Sequence, residues 1–222
     1  MNRVIYCFWF GPEMSSNRKK CFDSIVNNSH VTVQLVTEKN LEQFNVPTDP
    51  IHSAFQYLSS THKSDYLRSY FMYHYGGGYS DIKKCNYDWN RYFDMLQYSD
   101  KQFIGYAEIS QMDIANQSVK HLYKKLIGNC SYIFKTKTPF AKLWLDETNK
   151  KLDSIAKQLQ ENPGTYHHRA IKGGIYQESG FRDSKYPLEW NELLGRIFHK
   201  LQSEHLDTFL MGMPRVNTSN YR

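Results

Sequence analysis

The sequence predicts an α/β domain in which a central mixed, mostly parallel sheet is flanked by helices. Three observations lead there. Val4 to Phe10 is an unbroken apolar run closed by Gly11-Pro12, the pattern of a buried parallel strand. Asn17 to Val26 reads as a helix and Val31 to Val36 as a second strand, and a strand–helix–strand opening places parallel strands under a packed helix. The 222 residues, 40% hydrophobic and 23% charged, suit one sizeable core, with no repeat, low-complexity tract or composition break to divide them. We expect one domain over residues 1–222, standing alone or as a module of a longer polypeptide.

The remaining elements follow in order. A variable stretch from Thr37 to Pro50 leads to a helix near Ile51–Leu58 and then a longer one over Lys63–Tyr75, free of Gly and Pro. Trp89–Leu96 reads as helix, Phe103–Glu108 as strand, Val119–Ile127 as helix and Ser131–Phe134 as strand. Pro139 opens a long helix through Leu159, stopped by Asn162-Pro163-Gly164. Thr165–Pro187 is the least regular part and a candidate lid. Trp190–Leu201 is a final amphipathic helix.

Composition speaks against several classes. The formal charge of +6 is spread over separate pairs such as Lys19-Lys20 and Lys83-Lys84. A nucleic-acid footprint would concentrate it on one element. No segment reaches the roughly 18 apolar residues of a membrane span, and the N-terminus lacks the form of a secretory signal. Cys7, Cys21, Cys85 and Cys130 show no metal or scaffold spacing, so we expect packed, reduced thiols and a cytoplasmic protein.

The most informative stretch is HKSDYLRSYFMYHYGGGYSDIKK, His62 to Lys84. Leu67, Tyr70, Phe71 and His74 recur at the spacing of a buried helical stripe. Asp65 and Arg68 stand three apart on another edge, close enough to pair or to act on one ligand. Gly76 suits a left-handed helix end, while Gly77 and Gly78 let the backbone pass close to a neighbour. Tyr79 to Ile82 then reads as a strand end presenting Asp81.

These residues resemble the S-D-x-x-R…Y-G-G-x-Y-x-D segment of GT-A glycosyltransferases of the capsular-polysaccharide, yeast α-mannosyltransferase and clostridial-toxin type. The opening RVIYCFWFG is similar to their first strand. YPLEWNELLGRIFHK and Tyr221-Arg222 resemble a bacterial and giant-virus subgroup that includes chlorovirus capsid glycosyltransferases. The resemblance implies a GT-A (Rossmann-like) fold. It also implies transfer of a hexose or deoxyhexose from a nucleoside-diphosphate sugar, most readily UDP, to a glycan or glycoprotein acceptor.

Residue by residue, it implies that Asp65 and Arg68 grip the donor sugar, Trp9 packs on the nucleobase, Tyr79 lies near the ribose, and Asp81 holds Mn2+ or Mg2+. The second acid of the D-x-D motif is replaced by Lys83. Its loss leaves the metal's coordination to be completed by water, by the diphosphate and by a residue from elsewhere, with His199 the candidate, or calls for Lys83 or Lys84 to replace part of the metal's charge. The resembling families are largely retaining and a retaining enzyme can do without a general base; for an inverting one the sequence offers Glu108, Asp113, Glu178, Asp183, Glu189 and Glu192 without choosing among them. Two other classes stay open: a nucleotide-sugar-binding domain without catalysis, and a basic nucleic-acid-binding module.

Overall fold

A computed structural model describes residues 1–164 and 185–221. Its strands are β1 (Val4–Phe8), β2 (Thr32–Val36), β3 (Gly77–Ser80), β4 (Phe103–Ala107), β5 (Ile127–Phe134) and β6 (Phe209–Met211). Its α-helices are α1 (Ser16–Asn28), α2 (Ser60–His74), α3 (Asn90–Gln97), α4 (Pro139–Glu161) and α5 (Gly195–Glu204). The six strands form one mixed sheet in the order β2-β1-β3-β5-β4-β6. Only β5 runs against its neighbours; β1–β2, β1–β3 and β4–β6 pair in parallel. The carboxyl ends of β1, β3 and β4 therefore meet at one edge, where the amino end of β5 runs between β3 and β4.

Side-chain alternation along β1 builds a core on each face. Ile5 and Cys7 pack with Cys21 and Ile25 of α1 and with Phe93 and Leu96 of α3. Tyr6 and Phe8 face the opposite way, into a core with Phe71 of α2, Trp144 of α4 and Phe198 of α5. Trp144 and Phe198 stack at 4.3 Å. Gln202 of α5, fully buried, accepts from the Ile127 N–H at 2.5 Å and donates to the Ile127 carbonyl at 3.1 Å, which fixes α5 against the start of β5.

The glycine run has a packing explanation. Gly76 and Gly77 take φ of 61° and 83°. A Cβ at Gly77 would stand 2.7 Å from the Val4 carbonyl oxygen, and one at Gly78 2.8 Å from the Trp89 ring. The close neighbours are β1 and an indole, so these glycines let β3 sit against them.

Helix α2 is more deeply set than a one-sided stripe. Every residue from Asp65 to Met72 is buried, including the acid and the arginine. Ile51–Leu58 forms only a short 3-10 turn at Ser53–Tyr57, and Val119–Ile127 forms a 3-10 run over Gln117–Lys125 with Ile127 already in β5. The last predicted helix begins at Gly195, because residues 190–194 make turns. Most of the candidate lid, with Glu178 and Asp183, lies outside the described residues. All four cysteines are free, three of them buried. Among the described residues no helix is long and apolar enough to cross a membrane.

Candidate functional site

Three parallel strands deliver a chemically useful residue to the same edge: Trp9 just past β1, Asp81 just past β3 and Glu108 just past β4. Ligands of open α/β sheets bind at this edge because loops diverge there and leave a crevice. Ser59 caps α2 by accepting from the His62 N–H, and the helix brings Asp65 and Arg68 up beneath β3.

The result is a charge cluster in which Asp65 and Arg68 are buried and Asp81 and Lys83 half-buried. Arg68 Nη2 lies 3.3 Å from Asp65 Oδ1 and 3.2 Å from Asp81 Oδ1, and its Nη1 donates to the Asn129 carbonyl at 2.7 Å. Lys83 Nζ lies 2.9 Å from Asp81 Oδ2 and donates to Cys130 Sγ at 3.0 Å. The Tyr79 hydroxyl donates to Asp81 Oδ1 at 2.6 Å, while the Arg68 guanidinium sits 4.3 Å over the Tyr79 ring. Asp65 is 3% exposed and Arg68 8%, so this is no solvated surface pair.

Burial alone would raise the Asp81 carboxyl. Lys83 and Arg68, with the Tyr79 hydroxyl, outweigh it and hold the group well below the usual carboxylate range. Burial would likewise discharge Lys83, but Asp81 keeps it protonated and its pKa raised. Two carboxylates and two cations balance.

The cluster is unfinished as a structural network. Arg68 Nε, Asn129 Oδ1, Tyr132 Oη and Glu108 Oε2 are buried without a hydrogen-bond partner among the described residues. Polar groups left this way are rare in protein interiors and mark places where a ligand or water completes the bonding.

Further along the edge, Trp9 is half-buried, its Nε1–H donating to the Pro12 carbonyl at 2.6 Å. Arg18 of α1 lies 5.5 Å over that ring and 4.6 Å over Tyr221, and donates to the Ile82 carbonyl at 2.8 Å. Lys83 Nζ lies 5.3 Å from the centre of the Tyr221 ring. Residues 212–221 thus return across the site, with Asn217 bridged to Lys84 and Arg215 Nη2 2.9 Å from Asp113. Sequence reading missed Arg18, Asn129, Cys130 and Arg215, which belong to no local motif and meet the cluster only through the fold. Tyr79 is only 2% exposed, its ring stacked 5.3 Å from Phe8. Here it holds Asp81 and Arg68.

His199 lies fully buried on α5. Its Nδ1 accepts from the Ala115 N–H at 3.4 Å, so the proton resides on Nε2, and burial lowers its pKa to about 4. Both Asp81 oxygens already meet cations, and no group of three His, Cys, Asp or Glu side chains able to hold a metal occurs among the described residues. As arranged, the donor set does not fit a divalent ion. A metal at Asp81 would face two positive charges within 3.2 Å of the same carboxylate.

A family model of capsular polysaccharide synthesis proteins matches residues 1–83. That stretch runs from β1 to the end of the charge cluster and contains Trp9, Asp65, Arg68, Tyr79, Asp81 and Lys83, while Glu108 and His199 lie beyond it. No curated protein matches the chain. Over less than half of its length, then, the chain is similar to proteins of capsular polysaccharide synthesis, which supports a family connected with that process.

Proposed function

We propose that the chain is a nucleotide-sugar-dependent glycosyltransferase of the GT-A type, moving a hexose or deoxyhexose from a UDP-sugar to a glycan or glycoprotein acceptor. The observation that carries this reading is the Asp65–Arg68–Asp81–Lys83 cluster at the carboxyl edge of the sheet, its first two members buried and its last two half-buried, with its unsatisfied polar groups. The strand order with a single reversed strand and the capsular polysaccharide synthesis match support it.

In this reading the glycosidic bond to the diphosphate breaks and negative charge grows on the departing oxygens. Preorganised cations stabilise such charge most effectively where water is excluded. Lys83 and Arg68 take that role, which Mn2+ or Mg2+ was expected to fill, and Asp81 holds both cations in place before the donor arrives. Asp65 and Arg68 orient the donor sugar, Trp9 offers a face to the nucleobase, and Tyr79 fixes the Asp81–Arg68 pair.

The test is a panel of UDP-, GDP- and dTDP-sugars assayed for hydrolysis and for thermal stabilisation, in EDTA and with manganese. Any ligand specific for the native state raises the melting temperature as its concentration grows. Stabilisation by UDP with turnover of a UDP-hexose supports the proposal; no response to any nucleotide at millimolar concentration contradicts it. Stabilisation without turnover would favour the second reading, a nucleotide-sugar-binding domain. The neutralisation of Asp81 by two cations speaks for that alternative.

A further inference from the structure

One face of α1 carries Asn17, Lys20, Cys21 and Ser24 at the i, i+3, i+4, i+7 spacing. Together with Lys84 from the loop after β3 and the Ser219-Asn220 turn, this face lines a cleft of about 260 Å3. Its walls are tied together. Arg18 of α1 donates to the Ile82 carbonyl at 2.8 Å, and Asn28 Nδ2 donates to the Cys85 carbonyl at the same distance. Ser24 Oγ accepts from the Cys85 N–H at 3.0 Å, and Lys84 bridges to Asn217. The cleft is therefore a feature of the packed fold.

Its charge is one-sided. Lys20 and Lys84 are exposed, and neither pairs with a carboxylate among the described residues, whereas their sequence neighbours do: Lys19 lies 3.2 Å from Asp23 and Lys83 2.9 Å from Asp81. No acid lines the cleft. A concavity with charge of one sign focuses the field and concentrates counter-ions. Lys83 and Lys84, adjacent in the chain, thus serve different places: the first belongs to the Asp81 cluster and the second to this cleft.

We propose that the cleft is a second ligand site, which takes a phosphate or carboxylate borne on a single sugar ring. The two lysines set the anion. Asn17, Ser219 and Asn220 offer amide and hydroxyl groups to ring hydroxyls. The volume falls below the roughly 300–1,000 Å3 of sites for drug-sized ligands, which suits one ring with its anion better than a nucleotide. The anion follows from the cleft alone, while the sugar rests on the glycosyltransferase reading above.

The experiment is calorimetric titration of glucose 6-phosphate, glucuronate, inorganic phosphate and glucose into the full chain. Glucose 6-phosphate and glucuronate should bind at low ionic strength and weaken as salt is added, and neutral glucose should give no heat at the same concentrations. Lys20→Met and Lys84→Met should each raise the Kd for glucose 6-phosphate by about 5-fold, the scale of an exposed ion pair. Lys20→Met should leave the Kd for UDP within about twofold. Absence of binding by either anionic sugar at millimolar concentration would overturn the proposal, as would an unchanged Kd in both lysine variants. Weakening by Lys83→Met alone would place the anion in the Asp81 cluster and overturn it too. Inorganic phosphate binding as tightly as glucose 6-phosphate would overturn the sugar. A protein that binds the anionic sugars in this way but not UDP would support the cleft and contradict the donor reading, so the two fail separately.

Discussion

Lys83 Nζ lies 2.9 Å from Asp81 Oδ2, so the residue standing where a D-x-D motif has its second acid is ion-paired with the first. The relationship turns a metal motif into a carboxylate–ammonium pair. Removing the ammonium should therefore weaken the binding of a diphosphate. A charge-assisted hydrogen bond contributes about 1.5–3 kcal/mol, so Lys83→Met should raise the Kd for UDP by about 10- to 100-fold, read by calorimetry. An unchanged Kd would place the diphosphate elsewhere.

Arg68 should matter to folding as well as to the ligand. Breaking a buried ion pair costs about 3–5 kcal/mol because the partner charge is left unpaired, whereas an exposed pair contributes about 1 kcal/mol or less. With Asp65 and Asp81 both on its guanidinium, Arg68→Ala belongs to the first case. Urea denaturation should show a midpoint shift of that larger size. A loss under 1 kcal/mol would mean the cluster is solvated in solution.

Two buried groups should give opposite pH slopes that offset each other in the wild type. His199 has its folded pKa lowered from 6.5 to about 4, so the unfolded chain binds more protons in that window and stability rises with pH across it. Glu108 has its folded pKa raised from 4.5 to about 7, so the folded chain binds more protons there and stability falls as pH rises through it. Each effect is on the order of 3 kcal/mol. E108Q should therefore gain stability steeply between about pH 4 and 6.5, and His199→Gln should lose it between about pH 4.5 and 7. Chemical denaturation at half-unit pH steps reads both slopes, and parallel curves for the two variants would contradict the burial of these groups.

The glycine run tests the packing explanation apart from chemistry. Gly77→Ala forces an L side chain into φ of 83° and against the Val4 carbonyl. Left-handed strain of about 1–2 kcal/mol adds to an overpacking cost of about 1–3 kcal/mol. A drop in stability of about 2–5 kcal/mol by urea denaturation is expected, with UDP affinity unchanged in the fraction that folds. Loss of affinity at full stability would mean these glycines face a ligand.

Much of the architecture was legible because its signals are local. The Val4–Phe10 run, the Pro139 start and the Gly76 stop each announce an element through a few neighbouring residues, and each element stands where expected. Strand β6 went unread because three residues, Phe209–Met211, carry no periodicity, and it exists only by pairing with β4. Gln117–Lys125 has an apolar pattern that suits a helix but forms a 3-10 run, since Ile127 is drawn into β5 and held there by Gln202.

The site divides in the same way. Asp65, Arg68, Tyr79, Asp81 and Lys83 lie within 19 consecutive positions and could be read as one motif. Glu108, Asn129, Cys130 and Arg215 reach the same edge from β4, β5 and the C-terminal segment, and no spacing foretells that convergence. The depth of the Asp65–Arg68 pair was also hidden, because an i,i+3 acid and base read the same whether a helix lies on the surface or under a sheet.

The most direct test of the central claim is calorimetric titration of UDP into the full chain in EDTA, repeated with Lys83→Met and then with added manganese. If Lys83 and Arg68 neutralise the diphosphate, wild type binds UDP without metal, Lys83→Met binds at least about 10-fold more weakly, and manganese changes the wild-type Kd by less than about twofold. Wild-type protein that binds UDP only when manganese is present would contradict the account and return Asp81 to the role of a metal ligand.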